Sequence, residues 1–147
     1  MSTGSEKGTP GFLVWRLSMK WRVVVDRAVA PLGLTHAQYS LLASLYGLSR
    51  SGTRPSQREL ADFSGLEPIY VSKLARALQQ GGLVTRVEHP ADPRAVQLAL
   101  TRKGIDVVQR AVGIVRELQD ELTAPIGGTK SQTNRELVRI LRALLDA

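Results

Sequence analysis

At 147 residues and 43% hydrophobic, the chain is long enough to bury one core, and its 20 basic against 13 acidic residues leave a net charge of +7, which favours a polyanionic partner such as nucleic acid. It has no cysteine and only two histidines, His36 and His89, which excludes disulfides, thiolate metal sites and thiol-based redox sensing and argues against a histidine metal centre. No run approaches the roughly eighteen apolar residues of a spanning helix, and Met1 to Pro10 lacks a signal-peptide pattern, so the expectation is a cytoplasmic protein without metal or cofactor.

In chain order, residues 1–11 are rich in Gly, Ser, Thr and Lys and read as a disordered tail. Leu13, Leu17, Trp21, Val24 and Ala28 then recur at three- and four-residue steps along a first helix. A second helix opens at Thr35-His36-Ala37-Gln38, a capping box with Leu34 before it as a hydrophobic staple to Tyr39. A third opens at Ser56-Gln57-Arg58-Glu59, a second capping box, carries Leu60, Ala61 and Phe63 on a small apolar face, and stops at Ser64-Gly65. A fourth restarts at Pro68, already set at the helical φ, and runs to Gly81-Gly82. Two helices joined by a tight glycine turn read as helix-turn-helix.

On the fourth helix Val71, Leu74 and Leu78 fall at i, i+3 and i+7 and should pack inward. The remaining face offers Tyr70, Ser72, Lys73 and Arg76, which can read base edges or hold phosphates. Glu67 stands at the cap position before Pro68, where its carboxylate can accept from a cytosine amino group. Leu83 to Glu88 and Ala95 to Leu100 make a hairpin with a long tip, with Val96, Leu98 and Leu100 on one face of its second strand. Arg94, beside Pro93 at that tip, is placed to enter a narrow minor groove, with Asp92 orienting it.

A fifth helix carries Ile105, Val108, Val112, Val115 and Leu122 on a nearly heptad stripe broken by Gln119. After Ile126-Gly127-Gly128, with Thr129 or Ser131 as cap, a last helix presents Leu137, Ile140, Leu141, Leu144 and Leu145. That apolar surface exceeds what a solitary pair of terminal helices can hide, so burial against a second subunit is expected.

Taken together, these segments resemble the MarR family of winged helix-turn-helix regulators. The resemblance spans roughly residues 12–146. It rests on Leu34-Thr35-His36-Ala37-Gln38-Tyr39 with Leu42, on the helices from Ser56 to Gly65 and from Pro68 to Gly82, and on Gly82-Leu83-Val84-Thr85-Arg86. Asp92-Pro93-Arg94 and Leu100-Thr101-Arg102-Lys103-Gly104 complete it, all in the family's order and spacing. It implies a mainly α fold: a winged helix-turn-helix domain with a small β-hairpin wing over 34–103, and a dimerisation lobe from 12–33 and 104–147. It also implies a homodimer on a pseudo-palindromic operator, released by a small ligand or an oxidant, the cysteine route being closed here.

The sites that follow are Glu67, Pro68, Tyr70, Ser72, Lys73 and Arg76 in the major groove and Asp92 and Arg94 on the wing. Arg54, Ser56, Gln57, Arg58 and Lys103 are expected on phosphates, those at the third helix's start aided by its N–H groups and dipole. Relatives of the family take aromatic or phenolic ligands in a crevice between lobes, which nominates Trp15, Met19, Arg22, His36, Tyr39 and Tyr46. The function expected is a DNA-binding transcriptional regulator acting as a repressor; an architectural DNA-binding protein with low sequence preference and no ligand stays open. An enzyme does not fit, because the chain has no Ser-His-Asp arrangement and no phosphate-cradling glycine loop.

Overall fold

The computed structural model describes residues 8–92 and 95–147, and within them the chain is mainly helical with one two-stranded antiparallel hairpin. The elements are α1 (Pro10–Val29), α2 (His36–Ser49), α3 (Gln57–Ser64), α4 (Pro68–Gln80), β1 (Val84–Val87), β2 (Gln97–Leu100), α5 (Arg102–Leu122) and α6 (Gln132–Leu145), with single 3-10 turns at Ala30–Leu32 and Ala124–Ile126. No helix among the described residues is long and apolar enough to cross a membrane.

Helix α1 starts at Pro10, two residues inside the segment read as a disordered tail. Proline at the first helical position lacks only an N–H that would have no intrahelical partner there, and Thr9 already accepts from the Leu13 N–H at 3.1 Å. The start of the tail, residues 1–7, lies outside the described residues.

The chain divides into two compact units, one of residues 1–25 and 113–147 and one of residues 26–112. The second contains the helix-turn-helix and the hairpin. Its core is aliphatic: Leu41, Leu42 and Leu45 of α2, Leu60 and Ala61 of α3, Val71, Leu74, Ala75 and Leu78 of α4, and Leu98 of β2 are all buried. Local chemistry places each helix end. Thr35 and Ser56 both form complete capping boxes with Gln38 and Glu59, and α3 stops at Gly65, whose φ of +76° only glycine adopts freely.

The hairpin pairs Val84 with Leu100 and Val87 with Gln97, so β1 is one residue shorter than expected at each end and β2 is two residues shorter at its start. On the edge of β2 away from β1, the Val96 carbonyl accepts from the Gln57 N–H at 2.7 Å and the Leu98 N–H donates to the Pro55 carbonyl at 3.0 Å. The residues leading into α3 therefore bridge to β2 as a minimal third strand, a contact that the Pro55-Ser56 pattern does not announce.

The junction from β2 to α5 explains Leu100-Thr101-x-x-Gly104. Thr101 Oγ1 donates to the Gly82 carbonyl at 2.6 Å and accepts from the Gly104 N–H at 3.0 Å, while the Thr101 N–H reaches the Leu83 carbonyl at 3.0 Å. A Cβ on residue 104 would lie 2.0 Å from that carbonyl oxygen, so only glycine fits.

In the other unit Asp120 ties the end of α5 to the loop before α6 by accepting from the Thr129 N–H at 3.0 Å and the Thr129 hydroxyl at 2.9 Å. Ser131 caps α6 by accepting from the Asn134 N–H. This unit leaves most of its apolar residues in water: Phe12, Leu13, Trp15, Leu17, Ile140, Leu141, Leu144 and Leu145 are exposed, and α6 has no buried residue.

Candidate nucleic-acid interface

Helix α4 is held by its inner face, where Val71, Leu74, Ala75 and Leu78 are buried against the rest of the unit. It contains no acidic residue. Outward lie Lys73 and Arg76, exposed, and Ser72, half-buried. Tyr70 is exposed as well, but at roughly 100° per residue it projects from the flank of the helix rather than its crest. Glu67 occupies the N-cap position with extended backbone and makes no side-chain cap bond, so its carboxylate is exposed at the helix entrance beside Pro68.

An open cleft between α4 and the base of the wing brings Gln57, Ser72 and Arg76 together with Arg86, Glu88 and His89, three residues outside the expected site set. Arg86 organises its floor. Its Nε donates to Gln57 Oε1 at 3.2 Å, and its guanidinium lies 3.7 Å from the Glu88 carboxylate, with only 11% of the Arg86 side chain exposed. The alternation of β1 points Arg86 to the same side as buried Val84, and that period-2 position is the signal that identifies it. His89 Nδ1 accepts from the Ala91 N–H at 3.2 Å and shapes the approach to the wing tip.

The expected phosphate contacts fare unequally. At the start of α3 the Ser56, Gln57 and Glu59 N–H groups are already bonded to Glu59 Oε1, the Val96 carbonyl and Ser56 Oγ, so they are not donors for a phosphate as the helix-terminus argument supposed. Exposed Arg58 is the cation there, beside Ser56 and with Glu59, Asp62 and Asp92 lining the same depression. Lys103 Nζ donates to the Gly81 carbonyl at 3.0 Å, which leaves two of its three donors. Arg54 is exposed. On the wing Asp92 is exposed and its carbonyl accepts from the Ala95 N–H at 3.1 Å; Arg94 lies outside the described residues.

The six residues nominated for a ligand fall in different units. Trp15, Met19 and Arg22 belong to the terminal unit and are exposed on α1. His36, Tyr39 and Tyr46 belong to the other and are half-buried on α2. There the Tyr46 hydroxyl accepts from Gln109 Nε2 at 3.3 Å, Arg50 lies over its ring, and the His36 N–H donates to Asp26 Oδ1 at 2.8 Å. Among the described residues no group of three or more His, Asp or Glu is arranged to hold a metal ion.

The MarR family model matches residues 34–96, the span of the two capping boxes, the recognition helix and most of the wing. An uncharacterized HTH-type transcriptional regulator of Bacillus subtilis, YdcH, is 35% identical over 116 residues, which are 79% of this chain and 79% of that protein. The chain belongs to the MarR family. That is a family of transcriptional regulators, and solved MarR-family structures superpose on nearly the whole chain. The Mycobacterium tuberculosis regulator MosR, in complex with DNA, is 28% identical with a TM-score of 0.70 over 94% of this chain and 97% of its own. The repressor CouR, bound to a 23-mer DNA duplex, is 27% identical with a TM-score of 0.78 over 100% and 99%. CouR from Rhodococcus jostii, bound to p-coumaroyl-CoA, gives 26% and 0.74 over 95% and 91%. The fold is therefore a winged helix-turn-helix with terminal helices, and in MarR terms α4 is the recognition helix and β1–β2 the wing.

Proposed function

We propose that this MarR-family regulator is a cytoplasmic, non-enzymatic repressor that binds a pseudo-palindromic operator as a homodimer. The observation that carries the reading is the outer face of α4, which presents Ser72, Lys73 and Arg76 with no acid on the helix, above an inner face locked by Val71, Leu74 and Leu78. A helix held so and bearing cations outward can lie in a major groove. Pro68 and Glu67 stand at its entrance, Tyr70 at its flank, and Arg58, Arg54 and Lys103 supply phosphate contacts around it. The wing, with Asp92 and Arg94, takes the adjacent minor groove. A second copy covers the apolar surface of the terminal unit, and two chains present twice the net +7 to the duplex. CouR, solved with DNA and with p-coumaroyl-CoA, supports release by a small aromatic ligand.

The test is fluorescence anisotropy on the DNA upstream of the protein's own gene against a scrambled duplex of equal length, at two salt concentrations. Tight binding to the native duplex alone, with two chains per site, is the expected result. Equal binding to both, lost together as salt rises, would make the protein an architectural binder instead.

A further inference from the structure

Among the described residues of 26–112 the most exposed large hydrophobic is Ile69, with 76% of its surface in water although it stands in the first turn of the recognition helix. Isoleucine is among the residues most often buried in folded proteins, and a helix can place a polar residue here without loss. Its angular position is telling. Ile69, Ser72, Lys73 and Arg76 stand at i, i+3, i+4 and i+7, one continuous ridge of α4. That ridge lies opposite the buried ridge of Val71, Leu74, Ala75 and Leu78, so Ile69 projects from the crest, closer to its centre than Tyr70 does. Everything else along the crest is polar or cationic.

We infer that Ile69 is a specificity-determining residue that seats against the C5 methyl of a thymine in each half-site; the inference rests on the DNA-binding reading above. The chemistry narrows the occupant to that group. Base edges in the major groove present hydrogen-bond donors and acceptors, and the thymine methyl is the apolar feature among them. The first turn of a recognition helix is the part that meets base edges. An aliphatic side chain on a ridge otherwise built for phosphates and base acceptors matches that one group and rejects cytosine, which offers a polar amino group at the neighbouring ring position. Lys73 and Arg76, one and two turns along the same ridge, hold the helix in place while Ile69 discriminates.

The experiment uses the full chain and the operator duplex, with each thymine replaced in turn by deoxyuridine, which removes only the methyl. Binding of the unaltered protein should weaken roughly four-fold at one thymine per half-site, the effect of losing one buried methyl. I69A should bind the thymine duplex more weakly by a similar factor or more and show no further loss at that deoxyuridine, while Ile69→Val keeps part of the discrimination. Because Ile69 is exposed, I69A should unfold at the same temperature as the parent, so its loss of binding is not loss of fold. A deoxyuridine series that affects parent and I69A alike at every position overturns the inference and leaves the regulator reading intact. Failure of the parent to distinguish its own upstream DNA from the scrambled duplex overturns both.

Discussion

The two compact units of this chain solve the burial problem differently. Residues 26–112 complete a core within one chain: Leu41, Leu42, Leu60 and Leu98 are 0% exposed and come from two helices and a strand. The unit of residues 1–25 and 113–147 has Val25 and Val115 as its buried hydrophobics among the described residues, while Trp15, Leu144 and Leu145 stand 61%, 64% and 83% exposed. Helices of this length are made stable by packing an apolar face rather than by propensity alone, and an exposed apolar surface of that kind marks an association site. One unit is therefore finished as a monomer, and the other is finished by a second copy in the reading proposed above.

The comparison breaks most sharply at residue 104. Gly104→Ala would drive a Cβ to 2.0 Å from the Leu83 backbone oxygen, and backbone cannot swing aside as a side-chain end can. It should cost about 3 kcal/mol or more in urea unfolding, the range of severe overpacking. Gly47→Ala, in α2 with nothing near the added methyl, should instead gain about 0.5–1 kcal/mol from helix propensity. Equal effects of the two substitutions would mean that the Thr101–Gly104 junction does not hold the wing to α5.

Next in size is Leu141→Glu combined with Leu144→Glu on α6. Neither leucine is buried within one chain, so the unit of residues 26–112 should keep its fold and its own unfolding transition. Light scattering should show the mass falling from two chains to one at micromolar concentration, with dissociation favoured roughly a hundred-fold or more for each altered chain, its two leucines contributing about 1.5 kcal/mol apiece. A mass that stays at two chains removes α6 from the interface. Smaller again is Ser56→Ala, which deletes one half of the α3 capping box. It should cost about 1 kcal/mol, seen as faster amide exchange in α3, without altering the mass.

How much of this was legible beforehand divides along the same line between local and long-range causes. The capping boxes at Thr35 and Ser56, the stop at Gly65, the restart at Pro68 and the inward set Val71, Leu74 and Leu78 are written in a few adjacent residues, and each is where the pattern placed it. The contacts that build the site from its second layer were not legible. Gln57 and Arg86 are 29 residues apart, Lys103 and Gly81 are 22 apart, and the Pro55–Leu98 bond joins a loop to a strand. Such pairings exist only once the chain has closed. Ile69 was legible and missed for another reason: Val71, Leu74 and Leu78, read as the inward face, already put it on the outer crest, but its residue type alone argued for the core.

The smallest expected effect concerns acid, and it bears on whether the terminal unit has any fixed geometry of its own. Asp120 accepts from the Thr129 N–H first, then from the Thr129 hydroxyl, with Lys130 nearby, and these hold its carboxyl below the usual carboxylate range. A group whose pKa is lowered on folding stabilises the folded state fully above its unfolded value, and that stabilisation disappears as pH falls through the folded value. Comparing the protein with Asp120→Asn should therefore give a constant difference in melting temperature above about pH 5, shrinking below about pH 4 as the unfolded carboxyl protonates. Because the carboxylate is fully exposed, salt should reduce the Lys130 part of the difference more than the part due to Thr129. A difference that does not change with pH would mean that the α5–α6 loop is set by Gly127, Gly128 and the Ser131 cap alone, and that the terminal unit takes its order from its partner rather than from this clasp.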